Sequence, residues 1–213
     1  IIYEDDAIIV VNKGAGLLSV ATDKNEETTA FRILLNHLKK QDKNNRLYIV
    51  HRIDRETSGV LLFAKSKEIQ MQLQHNWHRQ VFEKIYLALV EGCVEKEEDT
   101  IHTWLVEEPK SKKVYSFDYD NGGLESTTIY NVEKRFKQNT LLRVSLKTGR
   151  KNQIRVHLQS IGHPIVGDKK YGSTTSPINR IGLHAYSISL WHPITGKNVR
   201  FEAPLPEAFN KIK

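Results

Sequence analysis

The apolar residues of this chain are divided among many short runs, and this division constrains the fold more than any other feature. The clean runs are short, such as the pentamers at 7–11 and 60–64. A membrane-spanning helix needs about 20 consecutive apolar residues, and the apolar region of a secretory leader needs about 7 to 15. We therefore predict neither, and we interpret most of the short runs as buried β-strands.

Alternating apolar residues and turn residues predict the strands. They are expected at 8–11, 59–64, 82–92, 101–106, 113–119, 125–134, 140–147, 183–190 and 198–202. Asn121-Gly122-Gly123 is predicted to form a hairpin turn between two of them. Apolar residues at helical spacing, such as Leu34 and Leu38, predict helices at 28–40, 67–80 and 151–161.

Strands outnumber helices in this pattern, and several strands are joined by short turns. We therefore expect the α+β class, with a large, mainly antiparallel mixed sheet flanked by helices and loops. The 213 residues suffice for a single domain spanning 1–213 with a sizeable core. Because the chain begins at Ile1 rather than at Met, we expect residues upstream, with room for an N-terminal module. The one cysteine, Cys93, excludes an internal disulfide and a cysteine-rich zinc site, and it favours a reducing, cytoplasmic location.

The charge balance raises the prospect of a polyanionic partner. Lysine and arginine total 32 against 25 acidic residues, which gives a net charge of +7 and a pI near 9.3. The lysines around Lys112 lie beside the alternating residues Tyr115, Phe117 and Tyr119, a combination that suits single-stranded nucleic acid. The alternative, which strand periodicity favours, is that these three rings form one buried face of a strand.

Motifs for nucleotides and metals are missing from the sequence. There is no Gly-rich phosphate loop and no Gly-x-Gly-x-x-Gly. Ser58 lacks the flanking glycines of a nucleophile elbow. A segment that begins like a calcium loop at Asp118 has Ile129 where the bidentate glutamate is required. We therefore expect no bound metal.

One polar segment, His51 to Gly59, stands between two apolar runs. Within it, Asp54 is flanked by Arg52 and Arg55. An aspartate held against arginine stays ionised at neutral pH, and an ionised, partly desolvated carboxylate can act as a nucleophile. The alternative, favoured by this segment alone, is a turn aspartate in a surface ion pair.

Five sequence blocks, which span almost the whole chain, favour the catalytic interpretation of Asp54 over the surface ion pair. The first block runs from Tyr3-Glu4-Asp5-Asp6 to Leu17, the second is His51-Arg52-Ile53-Asp54 with Thr57-Ser58-Gly59 and Ala64-Lys65, and the third runs from Lys84 to Gly92. The fourth is Thr148-Gly149-Arg150 with Gln153-Ile154-Arg155-Val156-His157, Gly162 through Asp168 and Tyr171-Gly172, and the fifth is Leu183-His184-Ala185 with His192 through Gly196 and Ala203 through Pro206. In this order they resemble the RluA-type pseudouridine synthase family. Two departures occur: Gly14 replaces the usual proline after Asn12-Lys13, and Lys151-Asn152 replaces a pair in which a histidine commonly precedes Gln153.

The resemblance implies the pseudouridine synthase fold and the isomerisation of uridine to pseudouridine within ribosomal or transfer RNA, without cofactor or metal. It implies that Asp54 is the essential carboxylate, which attacks uracil C6, attacks the sugar C1′, or removes a sugar proton. Tyr86 matches the active-site tyrosine, which stacks on the flipped uracil and can help to remove the C5 proton. Arg155 matches the basic residue that pairs with the catalytic carboxylate, and its alternative is a surface helix arginine.

The resemblance also suggests residues that bind the RNA around the reacting base. Arg52 matches a position that assists base flipping, although an ion pair with a neighbouring acid is equally compatible. Arg150 and Lys151 are candidates for RNA contacts. Leu183 and Ile154 are candidates for the apolar floor beneath the uracil, but plain core packing is the stronger interpretation for both.

Two other function classes remain open. A non-catalytic RNA-binding or ribosome-assembly protein could use the same cleft. A glycosidase would need a second carboxylate as general acid, and Glu56 is the nearest in sequence. We expect RNA as the partner, no membrane association and a monomeric enzyme.

Overall fold

The computed structural model describes residues 1–21 and 28–212. Within these residues, no helix is both long enough and apolar enough to cross a membrane. The chain divides into two compact units. The first unit contains Ile1–Lys84 and Ala185–Leu205, and the second contains Ile85–His184 and Pro206–Lys213.

In the described ranges 1–21 and 28–212, eleven strands and four α-helices account for most of the residues. The strands are β1 (Tyr3–Glu4), β2 (Ile8–Lys13), β3 (Tyr48–Ile49), β4 (Ser58–Ala64), β5 (Val81–Glu91), β6 (Glu98–Glu107), β7 (Val114–Phe117), β8 (Leu124–Arg135), β9 (Asn139–Leu146), β10 (Leu183–Trp191) and β11 (Asn198–Glu202). The helices are α1 (Ala30–Gln41), α2 (Lys67–His75), α3 (Trp77–Gln80) and α4 (Gln153–Ser160). Every strand predicted from periodicity is present, and the helices predicted at 28–40 and 151–161 correspond to α1 and α4. The strands that were missed, β1 and β3, have only two residues each, too few for a periodic signal.

The first unit is built around β4, whose seven residues are all buried. The strands follow the order β1-β2-β4-β10, with β3 paired to β4 and β11 paired to β10. The antiparallel register of β2 with β4 runs from Ile8 opposite Ala64 to Lys13 opposite Gly59. This register brings the end of β2 to the segment that carries Asp54.

Side-chain caps determine where the helices of the first unit begin. Thr29 accepts a hydrogen bond from Arg32 N and starts α1, and Ser66 accepts one from Ile69 N and starts α2. The single helix predicted at 67–80 is wrong in one respect. It is interrupted at Asn76, whose φ of −111° and ψ of 24° end α2, and the short helix α3 follows. Asparagine favours caps over helix interiors because its side chain competes for backbone hydrogen bonds.

The second unit contains the strand order β5-β9-β8-β6-β7, and each of these neighbouring pairs is antiparallel. Helix α4 packs on β7 and β8. It begins two residues later than predicted, because Asn152 adopts a left-handed conformation with a φ of 55°. The expected α+β class with a mainly antiparallel sheet is confirmed.

The hairpin predicted at Asn121-Gly122-Gly123 is wrong. The turn itself forms: Asp120 Oδ1 accepts from Gly122 N at 2.9 Å, and Gly122 has a φ of +78°. However, it joins β7 to β8, and these strands pair with opposite edges of β6. A turn motif reverses the chain locally, but the long strand β6 offers two edges, and the packing of the sheet decides which strand takes which edge.

The buried strand face expected for Tyr115, Phe117 and Tyr119 is also wrong. Tyr115 is 44% exposed and Tyr119 is 60% exposed. The buried face of β7 is the opposite one, where Val114 joins an apolar cluster with Val156 and Tyr171. Alternation correctly grouped the three rings on one side, but it could not tell which side helix α4 covers.

Candidate active site

Asp54 lies in the loop between β3 and β4 of the first unit and is half-buried. The backbone N–H of Thr57 donates to the carbonyl of Asp54 at 3.1 Å and closes a turn. Arg52 and Arg55, on either side of the aspartate, are both exposed. The loop therefore combines a partly desolvated carboxylate with two cations that reach solvent.

The backbone on one side of Asp54 is held by a buried lysine. Lys13 is 2% exposed, and its Nζ donates to the carbonyls of Gly14 at 2.9 Å, Leu17 at 2.7 Å and Arg55 at 3.0 Å. The carbonyl of Arg55 also accepts from Gly16 N at 2.9 Å. A buried ammonium needs such acceptors because it has lost its water, so Lys13 draws the three carbonyls together.

The backbone on the other side of Asp54 is held by Ser19. The Ser19 hydroxyl donates to the carbonyl of Ile53 at 2.7 Å and accepts from the N–H of Ile53 at 3.2 Å. Residues 53 and 55 are thus both fixed by the end of β2 and the segment that follows it. No role for Lys13 or Ser19 was predicted from the sequence, although Lys13 stands in the first of the family blocks.

The loop rejoins the sheet at Gly59, which has a φ of +111°. A Cβ atom at this position would lie 2.1 Å from the carbonyl oxygen of Ala185 on β10. Only glycine permits both the backbone conformation and this close approach. The segment that carries Asp54 therefore enters β4 at a position that tolerates no side chain.

His51, at the start of the polar segment, is neutral and binds the backbone of β4. Its Nε2 accepts a hydrogen bond from Leu62 N at 3.1 Å, and its ring lies 5.0 Å from the ring of Trp77. Burial, aided by the positive charge of Lys84, lowers the pKa of His51 from 6.5 to about 3. Burial also lowers the pKa of Lys84 itself. A proton on Nε2 would remove the acceptor that Leu62 uses.

We expect acid to destabilise the protein through His51. The folded-state pKa of about 3 lies below the unfolded value near 6.5, so the unfolded state takes up a proton that the folded state does not. Stability is then lost as the pH falls through this window, which thermal unfolding at a series of pH values would measure. The pH dependence should be shallower in His51→Gln and unchanged in the exposed-site control His78→Gln. A wild-type slope in His51→Gln would contradict this assignment.

Three of the predicted residues come together in the second unit. Tyr86 lies on β5 opposite Val144 of β9 and is half-buried. Its ring packs on an apolar cluster that includes Ile154, 5% exposed, and Leu183, 3% exposed. The burial of Ile154 and Leu183 agrees with core packing. Their role beneath a uracil stays a prediction.

Arg155, on α4, is held by a buried acid that sequence analysis did not pair with it. Its Nε donates to Asp168 Oδ2 at 2.6 Å and its Nη2 to Asp168 Oδ1 at 2.8 Å, a bidentate ion pair. Its Nη1 donates to Asn152 Oδ1 at 3.0 Å, and the guanidinium lies 5.0 Å from the ring centre of Tyr171. Arg155 is therefore not a surface helix arginine. Its pairing with Asp54 stays a prediction.

Arg150 and Lys151 lie in the turn before α4, and both are exposed. Gln153 Oε1 accepts from Arg150 N at 2.9 Å, which fixes the turn. Lys151 Nζ donates to Glu107 Oε1 at 2.6 Å. This hydrogen bond is the main reason that the pKa of Glu107 is lowered. Both side chains reach solvent, and Lys151 already has one anionic partner.

The comparisons with known proteins decide the family. The model of the RNA pseudouridylate synthase family matches residues 7–160. The chain belongs to this family. A protein of Aquifex aeolicus, named an uncharacterized RNA pseudouridine synthase, is 37% identical over 100% of the chain and 71% of its own length. The resemblance to the RluA-type pseudouridine synthases is therefore confirmed.

Another relative has a more specific name. The ribosomal large subunit pseudouridine synthase D of Nitrosomonas europaea is 37% identical over 97% of the chain. The chain spans 62% of the length of that relative, and 58% of the length of a synthase D from Neisseria meningitidis that is 36% identical.

Solved structures support the pseudouridine synthase fold. Human RNA pseudouridylate synthase domain containing 4 superimposes with a TM-score of 0.82 at 24% identity, covering 99% of this chain and 90% of that one. Human RNA pseudouridylate synthase domain containing 1 gives a TM-score of 0.76 at 24% identity, covering 99% and 86%. At this identity the likeness establishes the fold alone.

Proposed function

We propose that this member of the RNA pseudouridylate synthase family converts specific uridines in structured RNA to pseudouridine, with Asp54 as the reacting carboxylate and no cofactor or metal. The observation that carries the proposal is the setting of Asp54. It is half-buried and its neighbours 53 and 55 are held by Ser19 and Lys13. A carboxylate kept in one position by its surroundings is preorganised for attack or for proton removal.

The proposed reaction is an isomerisation, so its atoms balance without an oxidant or a co-substrate. The bond between uracil N1 and the sugar C1′ breaks, the uracil rotates, and a bond between C5 and C1′ forms. The proton on C5 is lost and N1 gains one. Three roles for Asp54 fit this scheme: addition to uracil C6, addition to C1′, or removal of a sugar proton.

Other residues of the family blocks support this chemistry in the proposal. The ring of Tyr86 stacks on the flipped uracil, and its hydroxyl takes part in removal of the C5 proton. The positive charge of Arg155 helps to keep the carboxylate of Asp54 ionised. The exposed Arg52 fills the space that the uridine leaves, while Arg150 and Lys151 contact the phosphates.

Ribosomal RNA is the substrate that we favour over transfer RNA. The relatives from Nitrosomonas europaea and Neisseria meningitidis are named as ribosomal large subunit enzymes. Both relatives are longer than this chain, so the test must include transcripts of ribosomal and transfer RNA. A monomeric state and a cytoplasmic location remain part of the proposal.

The test uses RNA transcripts that carry tritium at uracil C5, incubated with the protein and no added cofactor. Replacement of the C5 hydrogen releases tritium to water, so release above a no-enzyme blank is the expected result. Absence of release from ribosomal and transfer transcripts, with RNA affinity retained, would replace the proposal with that of a non-catalytic RNA-binding protein. Hydrolysis of saccharides in the absence of RNA would point to the glycosidase instead.

We expect RNA affinity to fall steeply with salt, because cations that contact phosphates release counterions from the RNA. For single strands the logarithm of affinity falls by about 0.7 per phosphate contact for each tenfold rise in salt. Titrations between about 50 and 200 mM salt would measure the slope. Arg52→Gln should reduce the slope by about one contact, whereas the exposed helix-end control Lys40→Gln should not. A flat salt dependence of the wild-type protein would exclude a phosphate-binding surface.

A further inference from the structure

Strand β7 has one covered face and one open face. On the covered face, Ser116 Oγ donates to Thr103 Oγ1 at 2.8 Å, and Thr103 Oγ1 lies 2.9 Å from Nε2 of the α4 residue His157. Val114 is buried on the same face. Within the described part of the chain, β7 is also the last strand of its sheet order. The side chains that alternate with Val114 and Ser116 therefore point away from α4.

The open face carries a row of aromatic rings. Tyr115 and Phe117 belong to β7, and Trp104 of β6 is the register partner of Phe117, so its side chain lies on the same face. The ring of His102 lies 5.0 Å from that of Trp104, and the ring of Tyr119 meets Phe117 edge to face at 5.9 Å. Tyr115 and Tyr119 are exposed, and Phe117 and Trp104 are half-buried.

Lysines surround one end of this row. Lys113 Nζ lies 5.4 Å from the ring centre of Tyr115, a cation–π distance. Lys110 and Lys112 are exposed in the preceding turn, and Lys170 donates to the carbonyl of Lys112 at 2.9 Å.

Acidic side chains also lie near this row, and the exposed Glu108 in the turn accepts a hydrogen bond from Ser111 Oγ. Glu107 is bound by Lys151, and Glu125 lies 2.9 Å from His102. Asp118 and Asp120 are exposed at the far end, beside Tyr119. The row thus has a positive end at Tyr115 and a less favourable end for phosphates at Tyr119.

We propose that this open face of β6 and β7 is a second RNA-contact surface, which stacks unpaired bases of the substrate on Tyr115 and Phe117 while the lysines bind the adjoining phosphates. The proposal rests on the proposed function, because it assigns the surface to the same RNA. Alternate residues of a strand are about 6.6 Å apart, which matches bases splayed along an extended strand. Bases within a duplex have both faces covered, so the surface selects single-stranded segments.

The experiment measures the affinity of the whole protein for a labelled oligouridylate and for an RNA duplex of the same length. Loss of one stacking ring weakens binding by about 5- to 150-fold. We expect Tyr115→Ala and Phe117→Ala to weaken oligouridylate binding within this range and to change duplex binding less than twofold. Tyr115→Phe, which keeps the ring, should bind as the wild type does. Phe82→Ala removes an exposed ring outside this surface and should also have no effect.

The same variants in the tritium assay distinguish a failure of the proposed surface from a failure of the proposed uridine isomerisation. With a ribosomal transcript, Tyr115→Ala should raise KM and leave kcat unchanged. Wild-type affinity in Tyr115→Ala and Phe117→Ala, or equal losses for oligouridylate and duplex, would overturn the surface even if the wild-type protein releases tritium. Selective loss of oligouridylate binding would uphold the surface even if the wild-type protein releases none. Thermal unfolding of each variant verifies that the fold is retained.

Discussion

Asp54→Asn is expected to reduce tritium release from C5-labelled RNA by about 10⁴-fold or more, the range seen when a nucleophile is removed from an enzyme. The asparagine side chain has nearly the same size and shape, but its amide neither adds to carbon nor removes a proton. Lys13, Gly16 and Ser19 donate hydrogen bonds to backbone carbonyls of the loop, and these hydrogen bonds do not involve the side chain of residue 54. RNA affinity should therefore stay within several-fold of the wild-type value.

The control for this variant is Glu56→Gln, a change of the same kind two residues away in the same loop. Glu56 is half-buried, as Asp54 is, so the two variants probe similar surroundings. We expect Glu56→Gln to keep near wild-type turnover. A near wild-type rate in Asp54→Asn would refute the catalytic assignment. Comparable losses in both variants would show that the loop needs its charges, not one reacting carboxylate.

Asp168→Ala is expected to cost about 3 to 5 kcal/mol of folding free energy, the range for removing one partner of a buried ion pair. Asp168 is 1% exposed and accepts two hydrogen bonds from Arg155, whose side chain is 11% exposed. Without the carboxylate, these two bonds to the guanidinium are lost in a place that water barely reaches. Urea unfolding monitored by circular dichroism would measure the loss.

The control for Asp168→Ala is Asp99→Ala, which breaks a solvent-exposed pair. Lys96 Nζ lies 2.6 Å from Asp99 Oδ2, with side chains 70% and 35% exposed. Exposed pairs contribute about 0 to 1 kcal/mol, so this variant should unfold close to the wild-type midpoint. The N–O distance is 2.6 Å in both pairs, so burial rather than distance determines the difference in energy. Equal losses in the two variants would contradict the argument.

Local pattern was sufficient for most of the secondary structure. Leu34 and Leu38 recur at helical spacing, and the helix found at Ala30–Gln41 buries both. The run at 59–64 predicted the fully buried strand β4. These signals succeed because they depend on neighbours in the chain. Asp54 was proposed as the reacting carboxylate only because its segment is one of five family blocks, whereas the segment alone favoured a turn aspartate in a surface ion pair.

The tertiary structure alone decided which distant residues support the site and which faces stay open. Arg155 and Asp168 are 13 residues apart, and no periodicity relates them; the fold of α4 against the following segment brings them into contact. Ser19 holds Ile53 across 34 residues, and Gly59 is required by the backbone of Ala185. The position of β6 between β7 and β8 was likewise decided by the tertiary structure. Sequence periodicity records which side of an element is apolar, whereas the partner of that side is chosen by packing between segments far apart in the chain.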